Sequence, residues 1–229
     1  MKTCAVMQPY LFPYIGYYQL VNASDVFIVY DDVTFIKRSF INRNSILANG
    51  ESKRFSLPVM GASQNVLIQN LDYAPADKLI KTIQHSYSKA PYYQDVIELI
   101  ANVFTCENRN IAKLNEQSIR MVFDYLGIKK QIVFASELDY DRAANRADRL
   151  IALSKMHDCQ HYINSPGGKE LYDKKYFDKQ GIKLSFIESK IAPYTQLSKE
   201  FVPYLSMIDI LMNCSKEEII KMLSNYELS

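Results

Sequence analysis

Two apolar runs, at residues 2–7 and 26–30, bracket a helix-length stretch at 16–22. That spacing constrains the fold more than any other feature of the chain. Two buried strands joined through a helix run parallel, because an antiparallel pair needs only a short turn. The crossover is right-handed, and parallel strand pairs belong to α/β sheets with helices on their faces. The second run, Val26-Phe27-Ile28-Val29-Tyr30, empties into Asp31-Asp32. Strand ends in such sheets open into ligand crevices, so the polar residues just past these strands are the first candidates for a site.

The same alternation continues downstream. Residues 53–59 read as a third strand, stopped near Pro58 and Gly61, with 66–68 as a short fourth. The middle is helical. Pro75 precedes a helix over 77–87, Pro91 one over 92–104, and Asn108 or Asn110 starts another over 111–126 that Gly127 stops. A strand over 131–135 follows, then an amphipathic helix over 145–156. In that helix Leu150, Ile151 and Leu153 face inward, and Arg146, Arg149 and Lys155 face out. Residues 161–164 are a short strand, Ser165-Pro166-Gly167-Gly168 a turn, 171–180 a helix or turn, and 182–187 the last strand. Helices over 204–212 and 216–226 close the chain. The expectation is one α/β domain over 1–229, a mainly parallel sheet flanked by helices. Residues 76–126 are then an inserted helical subdomain forming one wall of the pocket.

Charge and cysteine usage narrow the function classes. A net charge of +2 and a pI near 8.2 are too balanced to argue for a nucleic-acid partner. No apolar run reaches the roughly 18 residues of a membrane-spanning helix. The start MKTCAVMQPYLFP has a single lysine, is interrupted by Gln8 and Pro9, and shows no small-residue cleavage site. A cytoplasmic protein is therefore expected. Cys4, Cys106, Cys159 and Cys214 are scattered without a C-x-x-C pair, which indicates reduced thiols and neither a zinc site nor a disulfide framework. His157 and His161 are i,i+4 neighbours, but no glutamate lies between them. No metal and no resident cofactor are expected.

Several clusters carry residue types suited to chemistry. Asp31 and Asp32 point to opposite sides of an extended segment, so one of them is available to bind a ribose hydroxyl, ligate magnesium or act as a base. The structural alternative is a loop-capping aspartate. Lys37, Arg38 and Arg43, flanked by Asn42 and Asn44, combine cations with directional amides as a diphosphate clamp does; the alternative is a solvated basic surface. The turn Pro13-Tyr14-Ile15-Gly16-Tyr17 sits between first strand and first helix, where phosphate loops occur. Its single glycine is far short of G-x-G-x-x-G or the Walker pattern, and it lacks the histidines of a nucleotidyltransferase loop. His85, in His85-Ser86-Tyr87-Ser88-Lys89, is the best general-base candidate because imidazole titrates near neutrality; the alternative is a helix-capping histidine. Tyr10 and Tyr17 offer rings for stacking on a base or sugar.

MQPYLFPYIGYYQL, DVFIVYDDVTFIKRSFINRN, HSYSKAPYY and FVPYLSMIDILMN together resemble the WbqC-like protein family over nearly the full length. The family's shared block falls on Gln8, Pro9, Tyr10, Pro13, Gly16, Tyr17, Gln19, Asp31, Asp32, Lys37, Asn42, Arg43 and Asn44, then on His85, Tyr87 and Pro91. SPGGKELYD departs from the family's simpler glycine turn. The resemblance implies a bacterial protein of O-antigen-type polysaccharide synthesis that handles nucleotide-activated sugars. It further implies a transferase that acylates or aminoacylates a nucleotide-linked amino sugar, with an acyl-carrier or aminoacyl donor as partner. On that reading Lys37 and Arg43 hold the diphosphate, Asp32 binds hydroxyls, and His85 takes the proton from the amine. Gln8, Tyr10, Gly16, Tyr17, Asp31, Asn42, Asn44 and Tyr87 complete the substrate site. Two alternatives stay open: a noncatalytic partner-docking subunit of an assembly complex, and a magnesium-dependent nucleotidyltransferase or hydrolase.

Overall fold

The computed structural model describes residues 1–63 and 65–229. The opening unit forms as its pattern dictates: β1 (Thr3–Met7), α1 (Ile15–Ala23) and β2 (Val26–Val29). Strands β1 and β2 pair in parallel, Cys4 opposite Val26 through Met7 opposite Val29. A long excursion follows before the chain returns to the sheet. It holds the hairpin β3 (Arg43–Ala48) and β4 (Glu51–Ser56), the short pair β5 (Val59–Met60) and β6 (Asp72–Tyr73), and three helices. These are α2 (Asp77–Tyr87), α3 (Tyr93–Thr105) and α4 (Ile111–Tyr125). The run 53–59 is thus a hairpin strand off the main sheet. Residues 66–68, expected as a strand, make only a single bridge, Leu67 to Thr34, before a 3-10 turn.

The chain re-enters the sheet at β7 (Gln131–Phe134), crosses by α5 (Arg146–Met156) to β8 (His161–Asn164), and by α6 (Lys174–Lys179) to β9 (Lys183–Ser189). It ends with α7 (Met207–Asn213), α8 (Lys216–Leu223) and β10 (Tyr226–Leu228). Residues 226–228 were expected at the end of a helix or beyond it. They add instead an antiparallel edge strand on β9. The sheet order is β10-β9-β8-β1-β2-β7, and every pair except β10–β9 is parallel.

Strand residues alternate between two cores, as the pleat requires. Ala5, Phe27 and Val29 pack on one side with Tyr18 and Leu20 of α1, Phe123 of α4 and Ile219 of α8. Cys4, Val6, Val26 and Ile28 pack on the other with Leu150 and Leu153 of α5 and Phe177 of α6. Numbering only the parallel strands in chain order, the sheet reads 3-2-1-4-5. This is the order whose reversal beside the first strand opens a crevice at the strands' carboxyl ends. The loop after β1 leaves toward one face and the loop after β8 toward the other.

Candidate active site at the strand reversal

A cavity of about 590 Å³ lies at that reversal, within the range of small-molecule sites. Gln8 lines it from the end of β1, Tyr30, Asp32 and Thr34 from the end of β2, and Asn164, Ser165, Gly167 and Gly168 from the end of β8. Arg146 and Arg149 of α5, with Tyr172, complete the polar part of the wall. None of the lining residues comes from 76–126, so the helical segment expected as a wall of the pocket does not wall this one.

The electrostatics of the cavity are lopsided. Its carboxylate, Asp32, is fully covered and already neutralised: Tyr140 Oη donates to both oxygens at 3.0 and 2.8 Å, and Arg142 Nε donates at 2.8 Å. Arg146 and Arg149 have no carboxylate partner among the described residues, and Arg149 Nε is a buried donor without an acceptor. The Arg149 guanidinium lies 5.8 Å from the Tyr30 ring centre. Burial pushes the Tyr30 and Tyr172 hydroxyls up. Arg149 pulls Tyr30 part way back, and Arg146 and Arg149 do the same to Tyr172. The crevice wall therefore carries two guanidiniums without a carboxylate partner among the described residues, Arg146 exposed and Arg149 half-buried, along with two protonated phenols. Such a surface takes an oxygen-rich anion attached to something flat or polyhydroxylated.

The structure separates the residues singled out from the sequence. Gln8 and Asp32 reach the crevice, but with its oxygens engaged Asp32 is an anchor and not a free base. Asp31 turns away and accepts hydrogen bonds from Ser136 N and Oγ at 3.0 and 2.7 Å. Burial raises its carboxyl and those two bonds hold it down. Lys37 is exposed and Arg43 half-exposed on β3; neither lines the crevice, so the expected Lys37–Arg43 clamp does not face it. His85 is exposed on α2 and borders a different concavity, between the β3–β4 turn and residues 196–200. An imidazole and Asp32 thus do not converge on a common hollow.

The remaining residues of the N-terminal block hold the chain in place. Phe12 sits in the left-handed region at φ 39°, and the loop it bends needs partners for its carbonyls. Asn44 Nδ2 donates to Phe12 O at 2.6 Å, Ser206 Oγ donates to the same oxygen at 2.6 Å, and Tyr17 Oη donates to Gln8 O at 2.8 Å. Asn42 Nδ2 donates to Leu57 O. A side chain on Gly16 would place Cβ 2.5 Å from the Tyr14 ring, so glycine there serves packing. Tyr10 packs between Tyr17 and Phe40, with centroids 5.5 and 5.9 Å away. Tyr87 is fully buried, donating to Asp209 and accepting from Leu47 N.

Sequence reasoning missed Tyr30, Arg146, Arg149, Asn164, the glycine turn and Tyr172. One signal for the arginines was present. Asn145 caps α5, its side chain accepting from Asp148 N at 3.0 Å. That puts Arg146 and Arg149 in the first turn, where the helix dipole disfavours cations. Two cations at this end of a helix, with Asp148 the acid in the same turn, are a feature the sequence alone displays.

The strand order defines a doubly wound α/β protein with a polar crevice at the strand reversal. The chain belongs to the WbqC-like protein family, whose sequence model matches residues 8–221. It is 28% identical over 225 residues to the uncharacterized protein Rv1507c of Mycobacterium tuberculosis (strain ATCC 25618 / H37Rv), covering 95% of this chain and 96% of that protein. No solved structure matches it. Among the described residues, no helix is long and apolar enough to cross a membrane.

Proposed function

We propose that the protein is a transferase of bacterial surface-polysaccharide synthesis that acylates or aminoacylates the amino group of a nucleotide-linked amino sugar. The reaction takes place in the crevice, on the cytoplasmic side where nucleotide sugars are available. The observation that carries the reading is the pair of uncompensated guanidiniums, Arg146 and Arg149, beside the Tyr30 and Tyr172 rings at the strand reversal. The arginines receive the diphosphate and the rings flank the base or sugar. Gln8, Thr34 and Ser165 offer neutral hydrogen bonds to hydroxyls. The amine nitrogen attacks the acyl carbon of an activated donor, the carbon–nitrogen bond forms, the bond to the leaving group breaks, and the amine proton leaves with it.

The test is to incubate the protein with a panel of nucleotide-linked amino sugars and acyl or aminoacyl thioesters, and to read the sugar's mass. A gain equal to one acyl group, on at least one sugar, is the expected result. No gain on any sugar, with no binding at millimolar concentration, would sink the reading. His85→Ala is expected to leave nucleoside-diphosphate affinity within the roughly 0.5 kcal/mol typical of surface substitutions. A tenfold loss by titration calorimetry would put the imidazole in the crevice after all.

A further inference from the structure

The end of β8 carries a side-chain donor that makes no hydrogen bond among the described residues. Asn164 is 6% exposed. Its Oδ1 accepts from Ser165 N at 2.8 Å, and only an oxygen can take that hydrogen bond, so the orientation of the carboxamide is settled. Nδ2 then points toward Gly168, which lines the crevice with Asn164, and makes no hydrogen bond among the described residues. Glycine at 168 makes room for it: a Cβ there would stand 2.5 Å from Nδ2 and 3.2 Å from Phe186. Arg149 Nε, on the same wall, is a buried donor without an acceptor among the described residues. Leaving a buried donor such as Arg149 Nε unpaired costs about 1–3 kcal/mol, a cost that an acceptor entering the crevice would relieve.

We propose that residues 164–168 are the specificity-determining half of an anion subsite, in which Asn164 Nδ2 and the two α5 arginines jointly receive a diphosphate. This rests on the crevice being the substrate site and adds which group enters it and what reads it. A set made only of donors selects acceptor oxygens. Two guanidiniums match two negative charges better than the single charge of a carboxylate. The Asn164 carboxamide then fixes the register of the group, so the diphosphate lies along the β8 lip and the sugar extends toward Gln8 and Thr34. SPGGKELYD, which departs from the family's simpler turn, is on this view the strip that shapes the subsite.

The probes are inorganic pyrophosphate and UDP, with uridine as the neutral control, titrated calorimetrically into the full chain. Asn164→Asp keeps the acceptor for Ser165 N but replaces two donors by a negative charge. It is expected to weaken pyrophosphate and UDP by about 30-fold, the equivalent of losing one charged hydrogen bond, and to leave any uridine binding unchanged. Gly168→Ala, which crowds Nδ2 without changing charge, is expected to weaken pyrophosphate about tenfold by loss of one good contact. It also stands in if Asn164→Asp fails a thermal-melt check of folding. Folded variants that bind pyrophosphate as the wild type does, or a wild type that binds neither probe at millimolar concentration, overturn the proposal. Pyrophosphate binding that depends on Asn164, without acylation of any nucleotide sugar, sinks the transferase and spares the subsite. Acylation unaffected by Asn164→Asp does the reverse.

Discussion

Replacing Arg146 and Arg149 together by alanine is expected to weaken nucleoside-diphosphate binding by about 10²–10⁴-fold while leaving the melting temperature unchanged or slightly raised. The first half follows from two charge-assisted hydrogen-bonding groups at about 1.5–3 kcal/mol each. The second half follows from what the arginines lack. Neither has a carboxylate partner among the described residues, so removing them strands no buried anion there. Both sit in the first turn of α5, where a cation costs about 0.3–1 kcal/mol against the helix dipole. Arg149 Nε is moreover a buried donor without an acceptor among the described residues. Affinity and stability should therefore move in opposite directions or only affinity should move, as expected where a site holds unfavourable groups for a ligand. A purely structural role would lower both. Calorimetric titration with UDP beside a thermal melt separates the outcomes. Unchanged affinity, or a melting temperature lowered by several degrees, would remove the arginines from the site.

Much of the sheet was readable because its signals are local. Val26-Phe27-Ile28-Val29 is a continuous apolar run, as a strand covered on both faces must be, and Gly16 and Asn22 bound a helix of the right length. The inward spacing of Leu150, Ile151 and Leu153 against Arg146, Arg149 and Lys155 placed α5 correctly. The site was harder to read because it depends on which loops a topology brings together. Asp32 lies just past β2 and Asn164 ends β8, more than a hundred residues apart in sequence, and they meet only because β1 separates their strands. The basic stretch 37–43 follows β2 directly, yet it turns into the β3–β4 hairpin away from the crevice. The amphipathic pattern of α5 gives an inner and an outer face, and Arg146 is exposed as the outer face requires, but the pattern alone does not show that Arg146 and Arg149 also line a cavity. Asn44 and Tyr17 were read as ligand groups because amides and phenols suit ligands. The same chemistry serves backbone carbonyls equally well, and the left-handed Phe12 created that need. β10 escaped notice because its edge residues are mostly exposed and only a two-residue turn, Ser224-Asn225, separates it from α8.

The largest stability effect is expected at Asp209, far from the crevice. Its carboxylate is fully buried in the first turn of α7. Tyr87 Oη donates to one oxygen at 2.9 Å, while Tyr194 Oη and Gln196 Nε2 donate to the other at 2.7 and 2.8 Å. Gln196 in turn brackets Val202, accepting from its N–H and donating to its carbonyl. The acid thus pins the segment between β9 and α7 against α2 and β3. Asp209→Ala leaves three buried donors without their shared acceptor, and a loss of about 3–5 kcal/mol is expected, as when one partner of a buried charged network is removed. For a chain of this size that is a fall of roughly 6–20 °C in melting temperature. Asp209→Asn keeps an acceptor oxygen, costs less, and isolates the charge. Burial holds the Asp209 carboxyl above its ordinary value, with the three donors partly opposing the shift. The folded state therefore binds a proton at higher pH than the unfolded chain, whose carboxyl titrates near about 3.9. In that window stability falls as pH rises, and the contribution is complete only below the ordinary value. Subtracting the urea-unfolding free energy of Asp209→Asn from that of the wild type should give a difference that declines as pH rises above the ordinary carboxyl value and then levels off. A difference that is flat, or that climbs with pH, would show that the three donors outweigh burial and that the carboxylate is held charged in the folded state.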